Sequence, residues 1–168
     1  MWYNAGTFLK GCTMKNLVLS TLAVAALVMS GCSKKTPEVD MNQANSGLDS
    51  LAQSIQNQVQ NVYFDFDKFN IRSDMTSVVS SNAALFNQAG ADAINIKVEG
   101  NCDEWGSDEY NYALGLKRAN VVKDALVADG VNPNRLSVVS YGESNLVCSE
   151  KSKSCDAQNR RDEFKVSY

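Results

Sequence analysis

The stretch that decides the fold is VEGNCDEWGSDEYNYALGLKRANVVKDAL, residues 98–126, which joins the end of a strand to a long helix. Ser107 is a suitable N-cap for that helix. Asp108 and Glu109 follow it and place negative charge in the first turn, where the helix dipole favours it. The pattern predicts a helix that runs to about residue 129 and ends at Gly130.

Strands and helices alternate on both sides of this stretch. Residues 62–66 are aromatic and β-branched, and residues 94–98 alternate apolar and polar side chains, which is typical of strands. The predicted strands are 62–66, 94–98, 136–140 and 163–168, and the predicted helices are 75–88 and 107–129. The order β-α-β-α-β-β over residues 61–168 predicts an α+β fold, a two-layer α/β sandwich with its helices on one face of the sheet.

One cation lies within the apolar stripe of the second helix. At about 100° per residue, Arg118 and Asn111 both fall within about 60° of Leu114. A charge on an inward face needs a partner or a ligand, because isolated burial costs free energy. The nearest candidate partners in the sequence are Asp103 and Glu104. Either Arg118 forms a structural ion pair, or it is kept for an incoming carboxylate, which a planar guanidinium binds through two hydrogen bonds.

The N-terminal third does not belong to the predicted domain. Residues 17–29, LVLSTLAVAALVM, are mostly apolar but shorter than the roughly 20 residues of a spanning helix. Lys15 before this stretch and Ser-Gly-Cys32 after it are typical of a bacterial lipoprotein signal. We expect residues 1–31 to be a signal peptide, with residues 1–13 a spurious extension, and lipidated Cys32 to anchor the protein in a bilayer. A plain secretory signal with an incidental cysteine is the alternative.

The segment after the lipidated cysteine is rich in Asn, Gln and Ser. We predict a flexible tether over residues 32–60, which holds the domain away from the membrane. Four apolar residues recur there at spacings of three and four, the pattern of a weak amphipathic helix. They are Leu48, Leu51, Ile55 and Val59. The alternative is therefore a short partner-binding or coiled segment.

The composition excludes several classes of function. The 168 residues include 16 basic and 19 acidic ones, a formal charge of −3, which gives no reason to expect nucleic-acid binding. The chain has no histidine, so His-dependent triads and imidazole acid–base catalysis are absent.

The cysteines raise the questions of a disulfide, a metal site and a thiol enzyme. Cys148 and Cys155 flank a polar loop, and we favour a disulfide between them with Cys102 free, although three pairings are possible. Cys102 lacks a neighbouring base, and Asp103 and Glu104 beside it would raise its pKa. The three cysteines also lack the close pairs of a zinc site. We therefore expect no enzyme, no metal and no cofactor.

Four blocks of the sequence together resemble the OmpA C-terminal-like domain family. Besides residues 98–126 they are VYFDFDKFNIRSD at 62–74, VVSYGES at 138–144 and QNRRDEFKV at 158–166. Their order and spacing match the family across residues 62–168, and the likeness is to its peptidoglycan-associated lipoproteins.

The resemblance implies non-covalent binding of the peptidoglycan stem peptide. It implies that Asp103 and Arg118 hold meso-diaminopimelate, whose side chain ends in an ammonium and a carboxylate. It adds Asn111 on the same face and Arg160 near the C-terminus. Asp67 is expected to border the groove, although it could equally be a turn residue at the end of a strand. Trp105 stands where relatives often have Arg, and it could stack on sugar or peptide or pack against its own loop.

The resemblance also implies a cellular role. The protein would be an outer-membrane lipoprotein whose periplasmic domain grips peptidoglycan as part of the Tol-Pal system, supporting envelope integrity and constriction at division. TolB would bind an overlapping surface and compete with peptidoglycan. The alternative is an OmpA-like wall-anchoring lipoprotein that is independent of the Tol system.

Overall fold

The computed structural model of the protein describes residues 41–168, with side chains from residue 45 onward. The helices are α1 (Met41–Gln58), α2 (Thr76–Phe86), α3 (Asp108–Ala128) and α4 (Lys153–Asn159), and the strands are β1 (Val62–Tyr63), β2 (Asn95–Asn101), β3 (Leu136–Gly142) and β4 (Arg161–Ser167). The predicted signal peptide, Cys32 and residues 32–40 of the predicted tether lie outside the described residues. No helix within 41–168 is long and apolar enough to cross a bilayer.

The four strands form one sheet in the order β1-β4-β2-β3. β2 and β3 are parallel, and β4 runs antiparallel to both β1 and β2. Ile96, Val98 and Phe164 extend from the sheet into a core that includes Phe86 of α2 and Val122 of α3. The predicted α+β class is confirmed.

The elements differ from the prediction in two places, a helix before the last strand and the length of the first strand. Helix α4 was missed, because seven residues are too few to show a helical period. Its start is instead fixed locally, since the Ser152 hydroxyl accepts a hydrogen bond from the Cys155 N–H. Strand β1 ends at Tyr63 rather than at residue 66, and Asp67 then takes a left-handed φ of 56° as the chain turns away.

Helix α1 packs against the domain, which differs from the tether predicted over residues 41–58. Ile55 is 0% exposed and belongs to the core. The Gln56 side-chain amide donates to Phe164 O at 2.9 Å, and Gln56 Oε1 accepts from the Val166 N–H at 3.0 Å. Because β1 pairs only with residues 161–162, this amide occupies the part of the β4 edge that β1 leaves open.

Two glycines bring α3 directly onto the sheet. A Cβ atom at Gly100 would overlap the carbonyl group of Gly115, and one at Gly115 would overlap Ser140 Oγ. The helix backbone therefore lies against the end of β2 with no side chain between them. This close approach places the inward face of α3, with Asn111 and Arg118, beside the loop that follows β2.

Candidate functional site

The predicted site residues come together where β2 ends and α3 begins. The loop after β2 carries Asp103, and the first half of α3 carries Asn111 and Arg118. The end of α4 brings Arg160 to the same place. Asp67 lies at the border of this group, where the Tyr110 hydroxyl donates a hydrogen bond to its carboxylate.

Asp103 forms an ion pair with Arg160. Asp103 is only 4% exposed, and its Oδ2 accepts a hydrogen bond from Arg160 Nη1 at 2.9 Å. Arg160 Nε also donates to Phe64 O at 3.1 Å, which fixes the guanidinium. Of the two alternatives that the sequence left open for Arg118, the structural ion pair with Asp103 or Glu104 does not form among the described residues. The partner of Asp103 comes from α4, which the sequence did not predict.

Arg118 is held by main-chain carbonyls. It is 1% exposed, as the helical wheel predicted, and its guanidinium lies 5.1 Å from the centre of the Phe64 ring. Its hydrogen-bond acceptors are Lys68 O (2.8 Å), Asn101 O (3.0 Å), Asp65 O (3.2 Å) and Cys102 Sγ (3.4 Å). No carboxylate among the described side chains is within ion-pair distance of Arg118. Burial lowers its pKa, while the charges of Asp162 and Asp103 oppose the shift.

Asn111 leaves one buried acceptor without a partner. Its Nδ2 donates to Asp103 O at 3.3 Å and to the carboxylate of Glu143. Its Oδ1 makes no hydrogen bond with any described residue, and it faces Gly106, where a Cβ atom would come within 3.2 Å of it. Glu143 was missed by sequence reasoning, although it stands in the VVSYGES block, because a loop residue has no periodic signal.

A small cleft opens beside these groups. It has a volume of about 260 Å³ and is lined by Phe66, Asp67, Asp103, Trp105, Gly106, Tyr110 and Leu114. Asp67 thus lies on the wall of the cleft. The hydrogen bond to Asp67 raises the pKa of Tyr110, so this hydroxyl stays protonated and continues to donate at neutral pH.

Asp162 is a buried carboxyl, like Asp103, but sequence reasoning missed it. It is 0% exposed, and neither carboxyl oxygen has a hydrogen-bond partner among the described residues. Burial raises the pKa of Asp162 well above its usual range, although the charge of Arg118 acts in the opposite direction. A single Asp at the start of a strand gives no sequence signal for burial, since acidic residues are seldom fully buried.

The cysteines take the arrangement that the sequence favoured. Cys148 and Cys155 form a disulfide with their Cα atoms 5.3 Å apart, and Cys102 is a buried free thiol. The Asn159 amide bonds both to the N–H groups of Val147 and Cys148 and to Cys148 O, which holds this loop against α4. Burial raises the pKa of Cys102 to about 11, so it is a neutral thiol at physiological pH and a poor nucleophile.

Comparison with known proteins agrees with this fold. The OmpA family matches residues 63–160. Peptidoglycan-associated lipoprotein of Pasteurella multocida is 36% identical over 148 residues, which cover 88% of this chain and 95% of that protein. The corresponding lipoprotein of Mesorhizobium japonicum is 39% identical over 153 residues, covering 88% and 89%.

Two solved structures show the same fold. The peptidoglycan-associated lipoprotein of Burkholderia pseudomallei superimposes with a TM-score of 0.60 at 33% identity, covering 64% of this chain and 90% of that one. The C-terminal domain of Helicobacter pylori MotB gives 0.61 at 28% identity, covering 66% and 85%. The chain therefore belongs to the OmpA family and, within it, to the peptidoglycan-associated lipoproteins.

Proposed function

We propose that the protein binds the meso-diaminopimelate of the peptidoglycan stem peptide non-covalently and, anchored in the outer membrane by a lipid on Cys32, ties that membrane to the wall. The observation that carries the proposal is the grouping of Asp103, which lines the cleft, with its ion-pair partner Arg160 and with the buried Arg118 and Asn111 of α3. Asn111 Oδ1 has no partner among the described residues. Membership of a family of peptidoglycan-associated lipoproteins supports it and agrees with the prediction that the protein is not an enzyme.

The charges of the site complement a zwitterion. Arg118 has five N–H donors, of which the described carbonyls and thiol accept four, so one Nη2 hydrogen is left for a ligand carboxylate. Asp103 keeps one carboxylate oxygen beyond its bond to Arg160, and Asn111 offers Oδ1, so both can accept from an ammonium. Because the site is desolvated, these contacts are stronger than they would be in water.

The wall-binding proposal is tested by sedimentation of the full chain, in mild detergent, with purified peptidoglycan sacculi. Wild type should pellet, while Asp103→Asn and Arg118→Lys should stay in the supernatant, because losing a buried charged contact costs about 2–5 kcal/mol. Tyr112→Ala, on an exposed side chain of α3, is the matched control and should pellet. Circular dichroism is the control that checks that each variant is folded. Equal pelleting of all four proteins would mean that binding does not use this site.

We further propose that the protein belongs to the Tol-Pal system and supports envelope constriction at division, with TolB binding a surface that overlaps the cleft. The support is the likeness to peptidoglycan-associated lipoproteins along most of the chain. Purified TolB should then lower the pelleted fraction in the same assay. If TolB and sacculi bind together without competition, the two surfaces do not overlap, and if TolB does not bind at all, the protein anchors the wall independently of Tol.

A further inference from the structure

Two large aromatic side chains stand exposed beside the Asp103 cleft. Trp105 is 59% exposed and Phe66 is 61% exposed, although residues of this kind usually bury most of their surface. Both side chains line the cleft that contains Asp103 and also a neighbouring groove of about 460 Å³, whose other walls are Lys153, Asp156 and Arg160. Clustered exposed aromatics with a polar rim are typical of a recognition surface.

The indole of Trp105 is fixed by its polar edge. Its Nε1 donates a hydrogen bond to Asp156 Oδ2 at 3.0 Å, which ties the loop after β2 to α4. That bond orients the ring, while most of its surface stays open to solvent. A side chain that is ordered before binding loses less conformational entropy when a ligand arrives.

Arg160 also connects the groove to the proposed diaminopimelate site. Arg160 lines the groove and also forms the ion pair with Asp103. A ligand whose charged end binds at Asp103 therefore extends past Arg160 into the groove. In a muropeptide two residues separate diaminopimelate from the sugar, and an extended pair spans about 7 Å, which suits a neighbouring groove rather than the same cleft.

The chemistry of the groove fits an amino sugar. The axial C–H groups of a pyranose form an apolar face that packs on an aromatic ring, whose π face is negative. The hydroxyl and acetamido groups around the sugar need hydrogen-bond partners. The ammonium of Lys153, the carboxylate of Asp156 and the guanidinium of Arg160 supply them on the rim.

We propose that the groove between Phe66 and Trp105 is a glycan subsite, which binds an N-acetylated amino sugar of the peptidoglycan strand while the cleft at Asp103 holds the stem peptide. The inference rests on the proposed function and extends it from the peptide to the sugar. Trp105 supplies the stacking surface, and Asp156 keeps its ring in place.

The test uses two soluble probes with the full chain in mild detergent, measured by calorimetry. One probe is the tripeptide L-Ala-γ-D-Glu-meso-diaminopimelate, and the other is the same tripeptide carrying its disaccharide. Wild type should bind the disaccharide tripeptide about tenfold more tightly, the gain expected from one aromatic stacking contact and its buried area. Trp105→Ala should lose this gain, so that the variant binds the two probes with equal affinity. Trp105→Phe should keep most of the gain, because it keeps a ring.

Tyr112→Ala is the matched control, since it removes an exposed aromatic of α3 that does not line the groove, and it should change neither affinity. If Trp105→Ala weakens both probes equally, Trp105 belongs to the peptide site and the glycan subsite is wrong. If the sugar gives wild type no gain, the subsite is wrong while the peptide site stands. If wild type binds neither probe, the proposed function fails as well.

Discussion

Arg160 Nη1 lies 2.9 Å from Asp103 Oδ2, although 57 residues separate the two in the chain. Asp103 follows the central strand β2, whereas Arg160 ends the short helix α4. The pair therefore connects the loop after β2 to the end of α4, two segments that both carry site residues. Its contribution to the free energy of unfolding can be measured separately from its role in binding.

A double-mutant cycle with Asp103→Asn and Arg160→Gln should give a coupling free energy of about 1–3 kcal/mol, because the partners are in direct contact and largely desolvated. Chemical denaturation of the two single variants and the double variant measures it. The matched exposed pair is Arg72 and Asp74, which are bonded at 2.6 Å on the surface. A coupling at Asp103–Arg160 no larger than at that pair would show that burial does not strengthen the interaction.

Helix α1 should contribute to the stability of the domain. Ile55→Ala removes a fully buried side chain and should lower the free energy of unfolding by about 2–5 kcal/mol. Asn57→Ala, on the exposed side of the same helix, should change it by less than about 0.5 kcal/mol. Denaturant titration of both variants measures these changes in the free energy of unfolding. Equal stabilities would mean that α1 does not dock in solution and that residues 41–58 behave as the predicted tether.

Reduction of the Cys148–Cys155 disulfide should destabilise the protein by about 2–3 kcal/mol, the loop-closure entropy expected for so short a loop. The measurement is the denaturation midpoint with and without reductant. The Cys148→Ser, Cys155→Ser double variant should match the reduced protein and ignore the reductant. If the midpoint of wild type does not move, Asn159 alone holds the loop against α4.

Asp162 should make stability fall as pH rises. Burial raises its folded-state pKa above the unfolded value, so the folded state retains the proton longer, and the associated stability is present at low pH and lost as pH rises above the unfolded pKa. Asp162→Asn keeps the shape without the charge. It should therefore gain stability relative to wild type between pH 4 and pH 7, as measured by denaturant titration at both values. A constant difference would mean that Asp162 ionises alike in both states.

The sequence predicted what depends on local periodicity and missed what depends on distant contacts. The inward position of Arg118 followed from helical spacing alone, and the burial of that side chain confirms it. The sequence did not predict Arg160 as the partner of Asp103, because the pair spans 57 residues and needs a helix of seven residues that has no detectable period. The burial of Asp162 depends on which face of β4 meets α3, and that face is set by strand pairing. The packing of α1 likewise depends on an open strand edge that only the folded sheet reveals.

The two hydrogen bonds of Gln56 have a consequence for solubility. They occupy the Phe164 carbonyl and the Val166 N–H, on the part of β4 that the two-residue strand β1 does not reach. A domain that begins at residue 61, the boundary that the sequence predicted, would lack Gln56. The Phe164 carbonyl and the Val166 N–H would then have no hydrogen-bond partner and could pair with a strand from another molecule. The side-chain amide of one glutamine thus caps this strand edge and blocks the edge-to-edge pairing that leads to aggregation.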